Sequence, residues 1–139
     1  MTRRMTAPMW RKERGSNLVE TALALPVLLL LLAGVADVGR AFSDYIILTG
    51  AAREGARYGA YFPSQETLIQ DRTLQTASDA GVILTRGNIA VTRIPGAGSD
   101  EAIRVAVSHS MEMLLGGIIG LNTLTVRSFA EMPVLDPSR

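Results

Sequence analysis

The chain has 139 residues, 47% of them hydrophobic, a formal net charge of +1 and no cysteine. A near-neutral balance gives no electrostatic case for a nucleic-acid or acidic partner, and the lack of thiols excludes disulfides, thiolate zinc sites and cysteine nucleophiles. The length allows one small domain beyond any apolar segment.

Arg3, Arg4, Arg11, Lys12 and Arg14 crowd the start of the chain against a single Glu13. This short basic stretch lacks apolar periodicity and reads as a leader. By the positive-inside rule it stays in the cytoplasm while the rest is exported. From Thr21 to Ala36 no residue is charged, and Leu28 to Leu32 are consecutive leucines. As a helix, Ser16 to Ala36 spans about 30 Å, one hydrocarbon core. Glu20 stands at the cytoplasmic edge of this run, about 6 Å along the axis from Ser16, close enough to reach the headgroups. A carboxylate there calls for a partner. Pro26 removes one backbone hydrogen bond and is expected to kink the helix, which membrane helices tolerate. The run also fits a secretory signal cut after Gly34-Val35-Ala36. Its length, Glu20 within its start and a helical pattern that continues past Asp37 favour a retained membrane helix.

Beyond Ala36 the helix is expected to turn amphipathic. Asp37 and Arg40, and Arg40 and Asp44, are spaced to meet on an exposed face. Ala51, Gly55 and Gly59 form a small-residue stripe, with Ala52, Ala56 and Ala60 on the neighbouring face, so another element can approach closely there. This protein's own sheet is the favoured neighbour over a second subunit. Pro63 ends the helix near Phe62. A second helix is expected over Gln65 to Ala80, capped by Ser64 and stopped by Gly81. Its inward face would carry Ile69, Thr73, Ala77 and Ala80, with Leu68 beside it and Leu74 out of pattern.

From Asn88 the period changes to two. Ile89 to Thr92 alternates as a strand, with Arg93-Ile94 out of phase, and Ala102 to Ser110 resumes with Ile103, Val105 and Val107 on one face. Around the turn cluster Pro95 to Asp100 these form an antiparallel hairpin with a longer loop. Met111 to Leu121 is apolar and glycine-rich, and too short to cross a bilayer as a helix. It reads as a short helix or loop against the core or the membrane surface. Thr123 to Ala130 makes a third strand, and Pro133 begins a loose tail.

No catalytic constellation is expected. His109 is the only histidine, and it falls in a strand without the several ligands a metal site needs. The glycine turn at Gly96 and Gly98 lacks the lysine of a phosphate loop. The chain reads as a non-enzyme without metal, cofactor or small-molecule substrate.

The sequence RGSNLVETALALPVLLLLLAGVA, read on through DVGRAFSDYIILTGAAREGARYGA, resembles the TadE-like family, minor pseudopilins of tight-adherence (Flp-type) pilus systems. Glycine, glutamate, proline, leucine run, aspartate and AAREGARY come in that family's order. One position departs: Thr21 follows the glutamate, where Flp-type prepilins often carry an aromatic residue. The resemblance implies a pilin-like α+β fold: a leader over 1–15, a transmembrane helix over 16–36, its exported continuation over 37–62 and a small domain over 63–132. That domain would hold a second helix and a three-stranded antiparallel sheet, with 133–139 loose. It further implies cleavage between Gly15 and Ser16 by a prepilin peptidase, an assembly charge at Glu20 and a stacking bend at Pro26. The partners implied are the inner membrane, spanned once, other pilin or pseudopilin subunits and the pilus assembly machinery. The alternative is a signal-anchored or secreted small binding or structural domain unrelated to pili.

Overall fold

The computed structural model describes residues 13–95 and 101–135. The basic stretch up to Lys12, most of the turn cluster (96–100) and residues 136–139 lie outside them. One helix, α1 (Glu13–Tyr61), runs through the apolar segment and into the domain, with Pro26 inside it. Leucine and alanine favour this conformation at almost every turn, and the helix stops where Pro63 disfavours helical geometry at Phe62. Its start at Glu13 lies two residues before the Gly15–Ser16 bond.

After α1 come α2 (Glu66–Asp79), β1 (Ile89–Ile94), β2 (Ala102–Glu112), a single turn α3 (Gly116–Ile119) and β3 (Thr123–Pro133). The three strands form one antiparallel sheet in the order β1-β2-β3. Val105 sits opposite both Val91 and Ala130, and Val107 opposite Ile89 and Ser128. The α+β class, the second helix and the three-stranded sheet therefore follow the sequence expectation. β2 runs two residues past Ser110, and β3 three past Ala130.

The core lies where the C-terminal half of α1 crosses the sheet and α2 packs beside it. Leu48, Ala52, Ala56, Ile69, Ile103 and Val105 are fully buried there. The small-residue stripe is what lets these layers close. A Cβ on Gly55 would stand 2.1 Å from Thr73 Oγ1, and one on Gly59 would stand 2.8 Å from Ile103 Cγ2. Gly55 and Gly59 thus meet α2 and β2 of their own chain, and Ala51 is fully buried. Ser128, on the inward face of β3, shares a 2.7 Å hydrogen bond with Thr49 of α1.

Three local expectations give way. The cap of α2 is Gln65, without a side-chain hydrogen bond; the Ser64 hydroxyl instead accepts from Arg93. Ala80 is exposed, because the chain turns off the helix just there. Gly81 takes a positive φ, its N–H donates to the Ser78 carbonyl, and the Val82 N–H donates to Ala77. That pair of bonds satisfies two helix-end carbonyls and carries the backbone away after Asp79. Residues 133–135 are also tied down: the Val134 N–H donates to Glu101 and the Leu135 N–H to the Ala60 carbonyl. That last bond satisfies one of the orphan acceptors at the end of α1.

Candidate functional site

The feature the domain does not account for is the N-terminal half of α1. Every residue from Asn17 to Leu32 is exposed, including Leu18, Leu23, Leu25 and all five leucines of the central run. An apolar patch of this extent marks an interaction site. The helix is long and apolar enough to cross a membrane, with none of the apolar window buried in the protein. Glu20 lies on this stretch, exposed, about four residues along the helix from Ser16. Gly15 and Ser16 occupy the first turns of α1. Pro26 lies within α1.

At the upper end of the apolar run, α1 meets the connection between β2 and β3. Asp37 is the first charged residue after the run, yet it is buried, with 2% exposed. Its Oδ1 accepts from the Leu114 N–H at 2.9 Å and its Oδ2 from the Leu115 N–H at 3.1 Å. Those donors, the Leu114 N–H first, hold the carboxyl below its ordinary range against the opposing effect of burial. Arg40 stands 3.8 Å from the same carboxylate and also reaches the Glu112 carbonyl. Below this clamp Leu115 packs over Gly34, with its Cδ1 3.4 Å from where a Cβ would stand. A shallow apolar groove between Leu31, Val35 and Leu115 continues down the helix.

This geometry revises the expected exposed ladder of Asp37, Arg40 and Asp44. Asp37 turns inward to a backbone partner, and Asp44 faces His109, whose Nε2 is 3.7 Å from Oδ2. His109 therefore lies between sheet and helix, half-buried, beside one carboxylate. Among the described residues no group of three or more His, Asp or Glu side chains could hold a metal. The sequence signal for Asp37 was available: a lone acid at the close of an uncharged run. Its partners were not, since backbone N–H groups carry no residue-type signature.

Residues 15–57 match the family model described as TadE-like protein. The family resemblance read from the glycine, glutamate, leucine run and AAREGAR order is thereby borne out over that stretch, which is less than half of the chain. Searches of curated proteins and of solved structures give no match.

Proposed function

We propose, taking the TadE-like match over α1 as premise, that this chain is a membrane-anchored minor pseudopilin that takes part in assembling a tight-adherence pilus and has no catalytic role of its own. A prepilin peptidase would cut the Gly15–Ser16 bond on the cytoplasmic side. The new amine on Ser16 would then sit about 6 Å along the axis from Glu20. Glu20 of one subunit, paired with the amine of another, would set the register of assembly. Its exposure in the single chain leaves it free for that pairing. α1 would cross the inner membrane once, with the α+β domain exported.

The observation that carries this reading is the placement of the family match on a helix whose apolar half packs against nothing in its own chain. A soluble domain would leave that much apolar surface in water at about 25 cal/mol for each Å². The fold also supports retention of the helix over cleavage at Ala36. Helical hydrogen bonding runs unbroken through Ala36 and Asp37.

The test is the N-terminus of the protein isolated from cells that carry the pilus system. Intact-mass spectrometry is expected to give a chain starting at Ser16, and Gly15→Ala is expected to keep the leader. A chain starting at Asp37 would overturn the reading.

A further inference from the structure

The connection between β2 and β3 runs from Met113 to Asn122 and projects from the membrane-facing end of the sheet. We propose that it is a membrane seat: a short apolar foot that rests in the headgroup and upper acyl region of the same bilayer that α1 crosses. The inference rests on the membrane-spanning reading of α1 and adds a second point of contact to it.

Height comes first. Leu115 packs on Gly34, two residues inside the outer end of the 16–36 span, or about 3 Å along the axis. The foot is thus held level with the edge of the hydrocarbon core, and the Asp37 clamp on Leu114 and Leu115 fixes it there.

Composition agrees. From Met113 to Val126 the sequence has no charged residue and no histidine. Leu114, Ile118 and Leu121 are 60%, 68% and 62% exposed, and Leu115 beside them lines an apolar groove with Leu31, Gly34 and Val35 of α1. Apolar groups beside a membrane-spanning helix reach lipid without any movement of the domain.

The backbone goes part of the way towards a stricter demand. Polypeptide entering lipid must have its polar groups paired, because each unsatisfied one costs several kcal/mol. In this foot six N–H groups are paired within the chain. Met113 donates to Asn122, Gly116 to Met113, Ile118 to Leu115 and Gly120 to Gly116. Leu114 and Leu115 donate to Asp37. The tight closure needs glycine at 116, where a Cβ would stand 2.7 Å from the Asn122 Cα.

The chain has no cysteine, so single-cysteine labelling of the full-length protein reports cleanly. Ile118→Cys and Leu121→Cys, each carrying an environment-sensitive fluorophore, are reconstituted in vesicles of phosphatidylethanolamine and phosphatidylglycerol. Val27→Cys marks the span and Ser64→Cys the far end of the domain. Labels at 118 and 121 are expected to emit at shorter wavelength than at 64 and to lose emission when the vesicles carry a lipid with a shallow nitroxide on its acyl chain. Quenching at 27 by a lipid with a deep nitroxide near its acyl-chain end, with water-like labels at 118 and 121 that the shallow nitroxide leaves unquenched, overturns the seat and leaves the span intact. Blue-shifted labels that the nitroxide lipid does not quench also overturn it, since they report cover by protein. A label at 27 that a lipid with a deep nitroxide near its acyl-chain end does not quench removes the span and the seat together, because residue 27 lies near the middle of the 16–36 span.

Discussion

The Asp37 carboxylate accepts a 2.9 Å hydrogen bond from the backbone N–H of Leu114, 77 positions further along the chain. The contact joins the exit of the apolar helix to the tip of the longest hairpin in the sheet. Its pH dependence follows from the direction of the Asp37 shift. The folded-state value lies below that of the unfolded chain, which is about 3.9 for a free aspartate. The stabilisation is therefore complete above the unfolded value and is lost as pH falls through the folded one. Asp37→Asn keeps one acceptor for two donors, and Asp37→Ala keeps none. Both are expected to speed hydrogen exchange at Leu114 and Leu115, alanine more than asparagine. The stability gap between Asp37→Ala and the parent should close in acid. A gap that persists unchanged below the carboxylate range would show that the ionised form is not what holds the loop.

Gly55 and Thr73 form a matched pair. Gly55→Ala gains about 1 kcal/mol of helix propensity but drives a methyl into the Thr73 hydroxyl, and overpacking costs about 1–3 kcal/mol. The net expectation is a loss of up to about 2 kcal/mol. Adding Thr73→Ala should recover part of it, giving a coupling of about 1 kcal/mol in a double-mutant cycle. Gly50→Ala, exposed and with nothing within 4 Å of the new methyl, should raise stability by up to about 1 kcal/mol. Thermal unfolding of the full chain in detergent, followed by circular dichroism, reads all three.

Ile103 carries the central contact between β2 and the helices and is fully buried. Ile103→Ala is expected to cost about 2–5 kcal/mol. Ile83, 84% exposed on the connection after α2, should tolerate alanine within about 0.5 kcal/mol. Equal effects at the two sites would contradict the placement of the core.

Glu20 separates maturation from assembly. Glu20→Gln and Glu20→Ala are expected to be exported and to lose the leader as the parent does. A register set by a charge pair out of water should then fail, with surface pili falling roughly tenfold or more. Counting filaments by electron microscopy beside a blot for the processed chain distinguishes this from a processing defect. Normal pili in both variants would remove Glu20 from the mechanism.

Elements defined by local periodicity were legible from the residues. The apolar run, the strand alternation around Val105 and the stop at Gly81 are each encoded within a few positions of where they act. The stripe at Ala51, Gly55 and Gly59 announced a close approach and pointed to the chain's own sheet, where Gly59 meets Ile103, but not to α2, whose Thr73 faces Gly55. Contacts whose partners are far away in sequence were not legible. Asp37 looked like one rung of a surface charge ladder because Arg40 and Asp44 are close in sequence, whereas its donors are peptide groups from the other end of the chain. Leu74 looked misplaced on α2 for a related reason. The helix packs against α1 and also touches β1, so its inward face is wider than a single stripe and half-buries Leu74.

On the proposed membrane-spanning reading, the unbroken run of α1 from Glu13 to Tyr61 makes the domain ride on a lever. No linker absorbs motion between the part in lipid and the part outside it, and the arm from Asp37 to Tyr61 is about 36 Å long. A tilt of about 20°, ordinary for a membrane helix, would sweep its tip sideways by about 12 Å. Whatever reorients the buried rod therefore also re-aims the domain.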